Sequence, residues 1–225
     1  MSSSDPLLAR NWRKSKVLMC HENKERLGLV CFLRERYEER FFEPIRVLIE
    51  SSASNRGYGF AAMSLCCLLI ETVQGYRLGW PSSHWAELRD LAAALDQNIL
   101  PDRYYEMAPP FDSHHYSSEI AFTSFFNEPK HFAHFPDLKG KGQVFYRMIR
   151  CGLLHQAQTK DSWRITTSGK CWDDNPQMKT VNRNLFSSCL KDCFDGLLDE
   201  LEDAAWDEDP WKCTRKKIWW LAQTS

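Results

Sequence analysis

Two side chains, Arg150 and His155, stand five residues apart in VFYRMIRCGLLHQ, a stretch that otherwise reads as an apolar helix. A buried helix has no structural need for a guanidinium and an imidazole on successive turns, because charged groups seldom enter cores unpaired. Chemistry on phosphodiesters does need such a pair. A histidine can hold or release a proton near neutral pH, and an arginine presents a planar, permanently charged fork to phosphate oxygens. On a straight helix the two are separated by about 140° and about 7.5 Å. They therefore do not share one face, although a long arginine can curl towards the histidine. Gly152 between them would ease a bend or a close helix approach. Spacing of this kind is weak evidence by itself; the apolar setting gives it weight.

The elements that must position this pair are helical. Residues 25–51 read as a charged amphipathic helix that Pro44 kinks or breaks. Residues 51–57 form a loop, and a second helix runs over 58–76 with an apolar core from Phe60 to Ile70 that ends at Glu71. That run is too short for a bilayer and suits a helix buried on most sides. Pro81-Ser82-Ser83 caps a third helix ending near Asp96. Residues 100–117 look like a long ordered loop, 118–127 a phenylalanine-rich helix, and 141–157 the helix carrying the motif. Ser162 to Thr167 reads as a strand, and Met178 to Val181 pairs with it as a small hairpin. The last long helix is the clearest. Asn182 caps it, and Leu185, Phe186, Cys189, Leu190, Cys193, Phe194, Leu197, Leu198 and Leu201 recur at helical spacing. It is expected to pack on the motif helix as one side of a bundle. The tail over 216–223 reads as helix or strand.

Composition excludes several function classes. A formal net charge of −1 over 225 residues advertises no nucleic-acid or membrane partner globally, so any RNA contact must come from a local patch. Nine acidic residues and no basic ones lie between Asp192 and Asp209, which reads as a solvated helix face. Nine cysteines, an odd number, come without a CxxC pair or an apolar leader. These features imply reduced thiols and a cytoplasmic protein. Cys189 and Cys193, one turn apart, read as small core residues. No Walker loop, dinucleotide glycine pattern, GxSxG or zinc finger is present.

A helical bundle whose late helix carries Arg-x4-His resembles the HEPN superfamily, the higher eukaryotes and prokaryotes nucleotide-binding domains. The matching positions are Arg150 and His155. The residue after the arginine is typically Asn, Asp or His in that superfamily, and here it is Cys151. The resemblance covers about residues 58–203 at the level of helix order and one motif. It implies a mainly α fold, a HEPN-like helical bundle, with a small β-hairpin after the motif helix. The bundle would occupy residues 57–225, with residues 1–56 forming an N-terminal helical arm packed on it. It further implies a metal-independent endoribonuclease of a defence, toxin or stress system, acting as a homodimer on RNA, without cofactor or metal and away from membranes. A neutralising or regulatory partner protein would accompany such a toxin. His155 would serve as general base or acid at the ribose 2′-hydroxyl or the leaving 5′-oxygen, and Arg150 would stabilise charge on the phosphate.

Arg147, one turn before Arg150, could bind a flanking phosphate or simply be an exposed helix residue. Glu71 wants a cationic partner, for which Arg150 and His155 are candidates. Two other functional readings remain open. A non-catalytic HEPN-like module would bind RNA, a nucleotide or a partner protein through the same surface. A purely structural network would pair Arg150 with a carboxylate such as Glu71 while His155 caps its helix. The histidines His114, His115, His131 and His134 with Asp112 complete no zinc spacing and read as loop residues in solvent. Phe122, Phe125, Phe126, Phe132, Phe135 and Phe145 could stack bases but have the spacing of a core.

Overall fold

Helices dominate the computed structural model, which describes residues 5–51, 58–80 and 117–224. The expected third helix and the 100–117 loop, with His114, His115 and Asp112, lie outside those residues except at Ser117. The described residues fall into two compact units, one built from 5–36, 73–80, 117 and 198–224, the other from 37–51, 58–72 and 118–197.

The first unit opens with a short antiparallel pair, β1 (Leu7–Ala9) and β2 (Trp12–Arg13), which sequence periodicity did not reveal because each strand is too short to alternate. Helix α1 (Lys14–Glu22) follows, then α2, which begins at Arg26 and ends at Tyr37 in the second unit. Trp12 packs on Phe32 with ring centroids 5.7 Å apart. The Arg36 guanidinium is buried and donates to the Leu8 carbonyl, tying α2 to β1. Arg77 and Glu200 form a mostly buried ion pair at 2.8 Å. The chain ends in helix α9 (Asp209–Gln223), which packs on α1, so the tail is helical. Trp211 of α9 is fully buried and donates through Nε1 to the Leu201 carbonyl at 2.8 Å.

In the second unit the helix expected over 25–51 is interrupted where Pro44 predicts it. A π turn (Glu38–Phe42) leads into α3 (Glu43–Glu50), and the Glu43 amide donates to Glu38 five residues back. A proline at 44 has no N–H for the carbonyl at position 40 and its ring clashes there; widening the preceding turn accommodates both defects. Helix α4 (Tyr58–Leu78), of which residues 58–72 belong to this unit, buries Ala62, Met63, Cys66, Cys67, Leu69 and Ile70. It is long and apolar enough to cross a membrane by composition, but this burial marks a core helix.

Helix α5 (Ser118–Phe125) packs on the first turn of the motif helix, α6 (Gly142–Phe145). The approach is so close that a Cβ on Gly142 would lie 2.4 Å from the Phe122 carbonyl oxygen. Phe122, Phe125, Phe126, Phe135 and Phe145 are buried around this contact, which makes them core and not a base-stacking face. Beyond α7 (Cys151–Gln156) come β3 (Arg164–Thr166), β4 (Trp172–Asp173) and β5 (Thr180–Asn182). The expected hairpin is present, with a corrected pairing: β4 and β5 are antiparallel, and β3 pairs with β5 in parallel, Ile165 opposite Val181. The intervening β4 occupies the far edge of β5, and Trp163 packs on Trp172 with ring centroids 3.8 Å apart.

Asn182 caps α8 (Arg183–Asp203) as its sequence predicts, its Oδ1 accepting from the Asn184 and Leu185 amides. Phe186 stacks on Phe145 at 5.0 Å, so the first turn of α8 meets the first turn of the motif helix. Leu185 departs from the expected apolar stripe and is exposed.

Candidate functional site

The motif helix is one continuous rod with an irregular middle. Between α6 and α7 the residues Tyr146–Arg150 form a π turn, in which the Cys151 amide donates to Tyr146 five residues back. No proline explains it. The turn sets the Cys151 thiol beside the Tyr146 side chain. Burial, reinforced by that thiol, pushes the Tyr146 hydroxyl above its ordinary pKa.

Arg150 ends the π turn and faces α4. Its Nε donates to Glu71 Oε1 at 2.8 Å, and the two side chains are only 14% and 10% exposed. Ser118, the first residue of α5, completes a triangle: its hydroxyl donates to Glu71 Oε2 at 3.1 Å and accepts from Arg150 Nη2 at 3.4 Å. The guanidinium also lies over the Tyr146 ring, 5.5 Å from its centroid. Burial works against the arginine's charge, but the hydrogen bond and charge of Glu71 outweigh it and hold its pKa above the ordinary value. Arg150 is therefore a fixed cation with a fixed counter-ion. Its Nη1 makes no hydrogen bond among the described residues. Cys67, one turn before Glu71, is fully buried, and its thiol is pushed well up by burial and then by Cys66 and Glu71.

His155 lies elsewhere on the same helix. It is exposed in the last turn of α7, beside the partly exposed Leu154, and makes no hydrogen bond or ion pair among the described residues. The segment Cys151–Gln156 is regular α-helix, so the spacing expected from sequence holds and the two side chains do not meet within one chain. Ala157 ends the helix in the left-handed conformation at φ 53°, and its amide returns to the Gly152 and Leu153 carbonyls. The chain then folds back across the helix: Gln158 donates to the Gly152 carbonyl at 3.4 Å and Lys160 to Met148 at 2.9 Å. A Cβ on Gly152 would sit 2.4 Å from the Gln158 carbonyl oxygen. The glycine in the motif thus serves the returning strand of chain, not a neighbouring helix.

Arg147 is exposed and pairs with Glu119 at 3.2 Å, while Gln143 reaches the same carboxylate. The histidines expected in solvent divide differently. His131 is 1% exposed, stacks on Phe125 at 4.2 Å and donates through Nδ1 to the Phe125 carbonyl at 2.9 Å. His134 stands 3.7 Å from Asp192. Among the described residues no three His, Cys, Asp or Glu side chains converge as a metal site.

Ser118, Tyr146 and Cys151 are the participants that sequence reasoning missed. Only the i, i+5 spacing of a π turn would have paired Tyr146 with Cys151, and an α-helical reading separates them. The chain matches no family model, no curated protein and no solved structure.

Proposed function

We propose that this chain is a HEPN-like, metal-independent endoribonuclease of a defence or stress system, working in the cytoplasm as a homodimer. One observation supports it above others: the motif helix carries an unpartnered, exposed His155 and an Arg150 fixed through Nε and Nη2 with Nη1 uncommitted. A pre-oriented guanidinium loses little freedom when it meets a phosphate oxygen, which is where electrostatic catalysis gains most. His155 takes the proton of a ribose 2′-hydroxyl as that oxygen attacks the adjacent phosphorus. The 5′-oxygen leaves with a proton, and a 2′,3′-cyclic phosphate remains. Because the two side chains do not converge within one chain, the cleft needs the motif helix of a second copy.

The test is cleavage of single-stranded RNA in EDTA by the full chain, with cyclic-phosphate ends identified by mass spectrometry. Activity lost in His155→Ala, with its melting curve unchanged, and absent on DNA supports the reading. No cleavage by the wild-type chain, or undiminished cleavage by His155→Ala, overturns it.

A second reading, a non-catalytic module for RNA, a nucleotide or a partner protein, is favoured by a different observation. Both arginines of the motif helix face carboxylates, Arg150 at Glu71 and Arg147 at Glu119, so little positive charge is left uncompensated. Binding of labelled RNA without cleavage, weakening with salt, identifies that case.

A further inference from the structure

The first unit opens on a surface that is both basic and apolar. In the pairing of β1 with β2, Leu7 lies opposite Arg13, so the two side chains stand on one face of the ribbon. Both are exposed, Leu7 to 57%. Asp5 joins that face to helix α1. Its carbonyl accepts from Arg13 Nη1 at 2.9 Å, and its carboxylate accepts from the amide and the hydroxyl of Ser15. Met19, one turn beyond Ser15 and Lys16, is 51% exposed. Lys16 reaches back over the Trp12 ring, 3.8 Å from its centroid, with Nζ 3.5 Å from the Asn11 carbonyl in the turn of the ribbon. Arg10 is exposed in that same turn. Two bare apolar side chains therefore sit among the cations Arg10, Arg13, Lys14 and Lys16 in one continuous strip.

Little of this charge is answered locally. Two carboxylates adjoin the strip, and each is held by a neutral side chain: Asp5 by Ser15, and Glu35 by Asn11 at 3.1 Å. Among the described residues Arg13, Lys14 and Lys16 form no ion pair. The dipole of α1 disfavours these three cations, which stand at its positive end, and its first turn holds no acidic residue. Stability of the helix does not account for the cluster.

We infer that this strip docks the protein on an anionic phospholipid bilayer. The lysines and arginines meet headgroup phosphates, each worth about a fivefold gain in binding. Leu7 and Met19 enter the boundary between headgroups and acyl chains. Such an interface uses both parts of the strip. RNA would use only the cations, because bases stack on open aromatic faces and the ring beneath this strip, Trp12, is 5% exposed and covered by Lys16. Docking of this kind is peripheral and reversible, since two side chains and a few charges fall far short of an inserted helix. The inference does not depend on the ribonuclease reading.

The full chain is sedimented with vesicles of phosphatidylserine and phosphatidylcholine in equal parts, and with vesicles of phosphatidylcholine alone. Binding is expected to the first and not to the second, and it should weaken as salt rises. Arg10→Ala with Lys14→Ala should lower it about thirtyfold. Leu7→Ser with Met19→Ser should lower it about tenfold while leaving the affinity for a single-stranded oligoribonucleotide unchanged. Both double variants should melt as the wild-type chain does, since none of the four side chains is buried. Equal binding to the two kinds of vesicle, or binding to neither, overturns the inference. So does vesicle binding that is undiminished in the Leu7→Ser, Met19→Ser chain. An RNA affinity that falls in the Arg10→Ala, Lys14→Ala chain while vesicle binding holds overturns it too, and makes the strip a nucleic-acid surface.

Discussion

Two helices in the second unit contain a π turn, and the two turns have different origins. At Glu38–Phe42 the cause is local: Pro44 lies just beyond, and widening the turn removes a clash and a missing donor. At Tyr146–Arg150 nothing in the covalent chain demands it. That second turn is held from outside, by Glu71 and Ser118 on the arginine, and by the Tyr146–Cys151 contact it creates. A distortion without a local cause is maintained by its surroundings, and such places concentrate at functional sites. The contrast makes the motif turn the more informative of the two.

The largest effect that separates them is expected at Arg150. Arg150→Ala leaves the Glu71 carboxylate, 10% exposed, without its cation, and should cost about 3–5 kcal/mol in urea unfolding. Replacing both partners, Arg150→Met with Glu71→Leu, should recover much of that loss, because a well-packed apolar pair needs no compensation. A loss under about 1 kcal/mol for the single change would break the comparison, since the turn would then not depend on the pair. This destabilisation is also why His155→Ala, and not Arg150→Ala, decides the catalytic question.

Gly152→Ala comes next. Its Cβ would press on backbone at 2.4 Å, and backbone gives way less readily than a flexible side chain. A loss of about 1–3 kcal/mol by the same unfolding assay is expected, as for overpacked cores. Asn182→Ala should cost about 0.5–2 kcal/mol through the lost helix cap.

These residues also show what the sequence made legible. Helix α8 was readable from end to end, because its apolar period and its cap agree on one start. Helix α4 was readable from an apolar run broken only by Ser64, and the break near Pro44 from proline chemistry. The sheet was only half readable: the short β-branched run at Arg164–Thr166 announced a strand, but partner and direction depend on β4, two residues with no periodicity of their own. At the site, Glu71 is legible as a counter-ion for Arg150, because a lone carboxylate ending an apolar helix needs a cation. Ser118, Tyr146 and Cys151 were hidden, since they are brought in by tertiary contact and by a turn of the wrong period. His131 was misread as a solvent loop residue because its partner is a backbone carbonyl, which no sequence pattern displays.

Pro44→Ala tests the other half of the comparison. The π turn already accommodates the proline, so removing it restores a donor while enlarging the freedom of the unfolded chain. These effects oppose each other, and the net change should stay under about 1 kcal/mol. Hydrogen exchange should then report a tighter turn at residues 38–42, with no change at 146–150. If protection rises at both turns, the two distortions share a cause, and the contrast between a local and a tertiary origin fails.

Arg147→Ala should have the smallest effect, and it separates charge from position on the motif helix. Arg147 is 57% exposed and its pairing with Glu119 is open to solvent, so its removal should move stability by less than about 0.5 kcal/mol. Any effect on RNA is then electrostatic. Losing the cation uncovers Glu119 beside the helix, so RNA affinity should fall and its salt dependence should become shallower, while the rate of a bound cleavage step is unchanged. An unchanged affinity would mean that RNA does not approach this face of the helix. The charge that matters would then be confined to Arg150, where burial and Glu71 already hold it in place.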